Sequence, residues 1–214
     1  MKFVIFVTLI FFPLQDMKSQ NIIDLFYVIP ERHVDDLTVI ERKELLKNES
    51  IIKDDMIYYI NFDKQNGYLR FEQNYTEGQS GYAIFEITFW NLKNKKLIAV
   101  SSVFGSNGGF HQNDFKFFEY KNGILSLVKT GYLKNYSNNF EDFINRLVSE
   151  FTKDNVNQTI KEELKYIGFT IDLPKEGKNI NVSFTESELY NEYSKYLNKE
   201  SKIYIFNKET ELFE

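Results

Sequence analysis

Gly81-Tyr-Ala-Ile-Phe-Glu-Ile-Thr-Phe-Trp-Asn-Leu-Lys-Asn-Lys-Lys-Leu-Ile-Ala-Val-Ser-Ser-Val-Phe104 is the stretch whose reading decides the fold. Two runs rich in β-branched and aromatic residues flank a polar break at residues 91–96. That pattern is strand, turn, strand. Successive side chains of a strand point to opposite faces. Ala83, Phe85, Ile87 and Phe89 therefore share one face, and Tyr82, Ile84, Glu86, Thr88 and Trp90 share the other. The first set predicts a core face. The second is mixed and predicts a face that is open to solvent or only partly covered.

The same pattern extends outward from this hairpin. Strands are predicted over residues 56–62, 67–73, 96–104, 115–120 and 124–129. Asn66-Gly67 and Asn122-Gly123 are turn dipeptides that tolerate positive φ. Consecutive strands joined this way make an antiparallel meander. Before the sheet, residues 21–28 read as a helix that Pro30 ends. Leu37, Val39, Ile40, Leu45 and Leu46 approximate a second helical face, with Asp35-Asp36 placed to cap it. After the sheet, residues 140–151 and 156–167 are amphipathic at helical spacing. Residues 169–173 and 179–184 then pair around Pro174 and Gly177. Thr185 or Ser187 caps a helix running to Leu197, and residues 202–206 and 212–213 are terminal strands. Helices, strands, helices and strands in that order define an α+β fold. The expectation is an antiparallel sheet packed on one side by helices. Residues 20–214 read as a single domain, within which the order hints at two unequal helix-plus-sheet units, 20–135 and 136–214.

Composition narrows the function classes. At 214 residues, 43% hydrophobic and 17% aromatic, the chain holds enough apolar mass for a core without cross-links. It has no cysteine, which excludes disulfides, thiol nucleophiles and thiolate metal sites. A net charge of −5 argues against a nucleic-acid partner, because phosphate binding needs a concentrated basic surface. No cofactor motif is present. Residues 1–19 read as a signal peptide: Met1-Lys2 is basic, residues 3–14 are apolar, and residues 15–20 are polar. The apolar run is too short to span a bilayer comfortably, so no transmembrane segment is expected in the mature chain. Cleavage after Ser19 leaves Gln20 at the new terminus. The expected location is exported, periplasmic or secreted.

Three stretches carry a family resemblance. They are the leader with Gln20, the early Ile-Pro-Glu-Arg-His-Val-Asp-Asp-Leu-Thr at 29–38, and the late Leu-Pro-Lys-Glu-Gly-Lys-Asn-Ile-Asn-Val at 173–182. In layout the chain resembles exported Bacteroidetes-type proteins with no assigned activity. The resemblance implies an envelope or secreted α+β protein and brings no catalytic residue with it.

The candidate chemistry is sparse. Gly105, Gly108 and Gly109 lead into His111 and Asp114, which can pair as a base and its orienting carboxylate. Backbone amides of such a loop can form an anion nest. A hairpin connection needs glycines anyway, and the spacing of a phosphate-binding loop is missing. His33 lies near Glu31, Asp35 and Asp36, a set that can hold a divalent cation. Helix capping explains those aspartates better, so no metal site is expected. Ser101 and Ser102 sit outside any nucleophile elbow. Glu72 and Glu86 can face each other like a glycosidase pair, although paired strands place polar residues this way in any sheet. Tyr68, Tyr82 and Trp90 are the candidate ligand-binding platform for a sugar or peptide, against the ordinary reading of sheet aromatics as packing. Asn48, Asn74, Asn135, Asn157 and Asn181 begin Asn-x-Ser/Thr sequons, which matter only in a host that glycosylates exported proteins. The expectation from these residues is a non-enzymatic binding or envelope-associated module with a protein or carbohydrate ligand. The alternative is a secreted hydrolase with its site near His111 and Asp114.

Overall fold

A computed structural model describes residues 20–76, 82–106, 109–165, 169–184 and 190–214. The expected leader, residues 1–19, lies outside the described residues. Seven strands form one antiparallel sheet in sequence order: β1 (Ser50–Lys53), β2 (Met56–Asp63), β3 (Tyr68–Tyr75), β4 (Tyr82–Asn91), β5 (Lys96–Ser106), β6 (Gly109–Lys121) and β7 (Ile124–Leu127). This is the meander expected from the sequence. β1 is an addition to it. Asp54 and Asp55 both take positive φ in the two-residue turn that joins β1 to β2, the conformation that matches strand twist in a tight hairpin. Asn122-Gly123 turns the last hairpin in the same conformation. At Gly67 (φ 72°) a Cβ would lie 2.7 Å from the Phe89 ring, so the turn before β3 has no room for a side chain.

Helices α1 (Ile22–Val28) and α2 (Val39–Asn48) cover the face that carries Phe85 and Ile87. Phe26 of α1 meets Phe71 at 5.8 Å, and Phe71 stacks on Phe85 at 4.5 Å. The expected capping of α2 by Asp35-Asp36 is corrected. Both aspartates are left-handed, and the cap is Thr38, whose Oγ1 accepts from the Glu41 N–H while Glu41 accepts from the Thr38 N–H. The inward face of α2 also differs from the expected one. Ile40 is exposed, whereas Arg42 is fully buried. Its guanidinium donates to the carbonyls of Phe26 (2.6 Å), Ile29 (2.7 Å) and Leu37 (2.7 Å). A helix leaves its last carbonyls without intrahelical donors, and Arg42 supplies them for α1.

The opposite face, expected to be open or partly covered, is both. Helix α3 (Phe140–Phe151) and a three-stranded antiparallel sheet pack on its β4–β6 half. That second sheet contains β8 (Thr170–Asp172), β9 (Ile180–Ser183) and β10 (Ser201–Tyr204), in the order β10-β9-β8. Between α3 and β8 lies α4 (Gln158–Leu164), shorter than the 156–167 span expected. Of the helix expected before residue 197, the described residues hold one turn, α5 (Tyr190–Tyr193), running on into a 3-10 turn; the expected caps at 185 and 187 lie outside the described residues. Strands β11 (Phe206–Asn207) and β12 (Leu212–Phe213) close over Trp90, with Phe213 edge-on to its indole at 4.9 Å. Trp90, Leu97, Phe115, Phe143, Phe151, Ile171 and Val182 share one buried cluster. The sheet is therefore covered by the N-terminal helices on one face and by the C-terminal elements over the β4–β6 half of the other.

Candidate functional site

The C-terminal elements do not reach across the whole second face. Over β2, β3 and the adjacent end of β4, the sheet presents Tyr59, Asn61, Arg70, Glu72, Asn74 and Glu86. Antiparallel register puts them side by side: Tyr59 is opposite Glu72, Asn61 opposite Arg70, and Arg70 opposite Glu86. Strand β8 stands beside this patch and makes one wall of a cleft.

The position of β8 is held by side chains. Its outer edge carries the backbone groups of Phe169, Ile171 and Leu173, which point away from β9. Gln112 N–H donates to Phe169 O (3.0 Å), and Ile171 N–H donates to Gln112 Oε1 (2.7 Å). Ser101 Oγ donates to Ile171 O (2.9 Å), and Leu173 N–H donates to Glu86 Oε2 (3.1 Å). Buried backbone groups left unpaired are costly. Gln112, Ser101 and Glu86 together replace the missing neighbouring strand. The Gln112 amide is held in turn by Ser101 Oγ (2.8 Å) and the carbonyls of Ser102 (3.0 Å) and Asp114 (2.7 Å).

Two adjoining concavities result, each of about 480 Å³, and both are lined by Arg70 and Glu72. The first runs under β8 between Glu86, Asn74, Thr170 and Asp172. The second extends over Tyr59, Asn61 and Tyr68 toward Lys175. Arg70 is the hub. Its Nε and Nη2 each lie 2.8 Å from Glu72 Oε1, and its Nη1 lies 3.5 Å from Glu86 Oε1. The Tyr68 hydroxyl also donates to Glu86 Oε1. Burial pushes the Glu86 carboxyl above its ordinary range, against the pull of Tyr68, the Leu173 N–H and Arg70. Burial and the neighbouring Glu86 charge push the Tyr68 phenol far up, so it stays a donor. The ion pairs with Glu72 and Glu86 hold Arg70 above its ordinary value despite its own desolvation.

The residues singled out from the sequence fall in several places. Glu72 and Glu86 share the cleft, but on neighbouring register positions with Arg70 between them. Both oxygens of Glu86 accept from protein donors, which makes it an acceptor and strut rather than a free acid. Tyr68 lines the second concavity with its ring buried and its hydroxyl spent on Glu86. Trp90 is only 1% exposed, and its Nε1 donates to Lys178 O (2.9 Å). It is core. The side chain of Tyr82 lies outside the described residues. His111 and Asp114 are in strand β6 and not in a loop, because β5 and β6 remain paired out to Ser106 and Gly109. A bulge at Asn113 sets both on the helix-covered face, opposite Phe104 and Ser102. His111 is exposed. The Asp114 carboxylate pairs with Lys116 and lies 3.9 Å from Nδ1 of His33. Those two partners hold it below its ordinary range against burial. His33 in turn packs edge-on to Phe118 at 5.2 Å, and Asp35 accepts from the Tyr58 hydroxyl (2.7 Å). Among the described residues, no group of three or more acidic or histidine side chains is placed to hold a metal ion. Among them too, no helix is long and apolar enough to cross a membrane.

Tyr59, Arg70 and, except as the start of a sequon, Asn74 were not singled out from the sequence, nor was Asp172. The first three were within reach, since the turn at 64–67 fixes the register that sets Tyr59 and Asn61 beside Glu72 and Arg70. Asp172 was not, because its position depends on how β8 docks. No protein-family model, curated protein or solved structure matches the chain.

Proposed function

We propose that this chain is a binding module that takes a carbohydrate in the cleft between the β2–β4 face and β8. The observation that carries this reading is the fixed network of planar polar groups, Glu72–Arg70–Glu86, next to an aromatic ring that is 48% exposed, Tyr59. Sugar hydroxyls donate and accept at once, and carboxylates, amides and guanidinium groups held in place meet them without an ordering cost on binding. The apolar C–H face of a pyranose ring has a matching surface in an exposed tyrosine. Asn61 and Asn74 add two amides to the same floor. An ordinary ligand site is a concave surface with a few well-placed polar groups, and this cleft has that form.

The hydrolase alternative at His111 and Asp114 has less support. General acid–base work needs the base within hydrogen-bond reach of its orienting group, and the Asp114 carboxylate is already shared between Lys116 and His33. The proposal includes export, for which the support is the basic–apolar–polar order of residues 1–20. A mature terminus close to Gln20, measured on the native protein by mass spectrometry, is the expected result. An intact Met1 on a cytosolic pool would remove that part of the reading. For the cleft, titration calorimetry against neutral tetrasaccharides and their amino and uronic acid counterparts is the test. Binding to at least one, lost in Tyr59→Ala and in Arg70→Ala, is expected. Binding that survives both substitutions would place the site elsewhere.

A further inference from the structure

Asn122-Gly123 closes the hairpin that joins β6 to the edge strand β7. Both residues take positive φ, 52° and 83°, and the ladder ends at the pair Lys121 and Ile124. The Gly123 N–H therefore lies within the turn and takes no part in the ladder. Among the described residues, no hydrogen bond holds that N–H or the Asn122 carboxamide. Both residues are exposed, and a Cβ on Gly123 would meet nothing within 4 Å.

The same dipeptide occurs at Asn66-Gly67, in the turn before β3, and there it is held. Asn66 Nδ2 donates to Asp63 Oδ2 (2.7 Å), and the Asn66 N–H donates to Asp63 Oδ1 (3.0 Å). The Gly67 N–H donates to Asp63 O (2.9 Å), and Gly67 O accepts from the Thr88 hydroxyl (3.1 Å). Gly67 is buried, with the Phe89 ring filling the space beside its Cα. The third such dipeptide, at 107–108, lies outside the described residues.

An asparagine followed by glycine carries its own chemistry. The Gly123 nitrogen, on losing its proton, bonds to Asn122 Cγ. The Cγ–Nδ2 bond breaks, and ammonia leaves with that proton. Water then opens the five-membered succinimide at either carbonyl and gives aspartate or isoaspartate. Glycine permits the step because no Cβ shields its nitrogen or hinders the rotation that closes the ring. The attacking nitrogen must be free of hydrogen bonds, and the carboxamide must be free to turn. Of the two dipeptides described, Asn122-Gly123 alone meets both conditions.

We infer that Asn122 is a site of spontaneous deamidation and isoaspartate formation, and that the Asp63 turn shields Asn66 from the same reaction. The site lies outside the cleft and does not depend on the carbohydrate reading. Isoaspartate adds one backbone atom to a two-residue turn, and the length of such a turn fixes the register of its strands. The strand that bears this is β7, four residues at the sheet edge, whose Leu125 packs against the core beneath the N-terminal helices.

The full chain is held in mildly alkaline buffer, folded and, in parallel, unfolded in urea. Tryptic peptides 65–70 and 122–129 are followed by mass spectrometry, and chromatography against synthetic standards separates isoaspartate from aspartate. In urea the two sites convert at comparable rates. In the folded protein Asn122 outpaces Asn66 by more than about tenfold, since conversion at Asn66 must first break the bonds of its carboxamide and of the Gly67 N–H. Asp63→Ala raises the Asn66 rate in the folded protein and leaves that of Asn122 as it is. Hydrogen exchange on the converted protein shows the amide of Ser126, which faces Glu119 across the ladder, losing protection while amides of β2 and β3 keep theirs. Conversion of Asn122 in urea but not in the folded protein would overturn the site. Equal rates at the two sites in the folded protein, or a faster Asn66, would overturn the selection between them. An Asn66 rate unmoved by Asp63→Ala would overturn the shielding by Asp63.

Discussion

Replacing Arg42 by Met tests the least expected feature of the fold. The side chain is fully buried in α2 and, among the described residues, meets no carboxylate at hydrogen-bond distance; its three bonds go to the carbonyls of Phe26, Ile29 and Leu37. Glu31 and Glu41 act on it only through space, and burial pulls its guanidinium below its ordinary value. Met fills much of the aliphatic stem's volume, so the cost comes mainly from three carbonyls that lose charged donors. Each buried acceptor left unpaired costs about 1–3 kcal/mol. Water can reach some of them, and the lost desolvation of the arginine itself offsets part, so the net loss is about 3–5 kcal/mol, the range for breaking a buried charged contact. Phe26 O and Ile29 O lie at the end of α1, where the helix dipole also favours a cation. Arg42→Lys restores one point charge without the fork and recovers only part of the loss. The assay is equilibrium urea unfolding followed by the fluorescence of Trp90, the single tryptophan, which is buried. A fall in midpoint with unchanged slope is the expected result. A loss below about 1 kcal/mol for Arg42→Met would refute the view that the arginine secures the end of α1.

Other outcomes follow from specific contacts. Phe85→Ala removes a ring stacked on Phe71 and costs about 3–5 kcal/mol in the same unfolding assay; an unchanged midpoint would mean that the faces of β4 are reversed. Gln112→Ala strips the outer edge of β8, so the Ile171 amide exchanges with deuterium far faster than in the parent while amides of β2 and β3 keep their protection. Glu150 accepts from Lys199 and Lys202, both at 2.9 Å, and from the Tyr204 hydroxyl at 3.1 Å, and its lysine partners hold its carboxyl down at about 2 against burial. Because the folded value lies below the ordinary 4.5, this stabilisation is present above pH 4.5 and is lost as pH falls toward 2. Solvent screening limits it to about 1–2 kcal/mol, and Glu150→Gln flattens the acid limb of the stability curve by that amount.

Where patterning was strong, local chemistry showed through in the sequence. The alternation in β4, the turn dipeptides Asn66-Gly67 and Asn122-Gly123, and the apolar spacing of α3 each rest on neighbours a few residues apart. Where a choice depended on a distant partner, it did not. Ile40 reads as an inward residue on the helical wheel, yet α2 is rotated so that Arg42 faces the end of α1. Asp35 and Asp36 read as caps, yet Thr38 with Glu41 makes a reciprocal cap that two left-handed aspartates cannot. Gly105 to Asp114 reads as a loop because of its glycines, yet ladder bonds on both sides carry the strands to Ser106 and Gly109, with one bulge at Asn113. Trp90 and Tyr68 read as a platform because a strand displays its alternate residues. Nothing local says that Phe213, about 120 positions further along the chain, covers one of them, or that Glu86 binds the hydroxyl of the other.

The amino-acid sequence by itself determined that this chain is α+β, that its central strands pair as a meander, and that Phe85 and Ile87 face a core. Those outcomes follow from side-chain period, β propensity and turn chemistry, which act between near neighbours and need no knowledge of the rest of the fold. Only the tertiary structure decided which half of the second sheet face is open. That depended on where β8 docks, and β8 docks where Gln112, Ser101 and Glu86 offer its unpaired edge the hydrogen bonds of an absent strand. The sheet's own residues made both halves of that face mixed in polarity. Contacts between residues 59 to 87 positions apart in the chain turned one half into core and left Tyr59, Arg70 and Glu72 at the surface as a cleft.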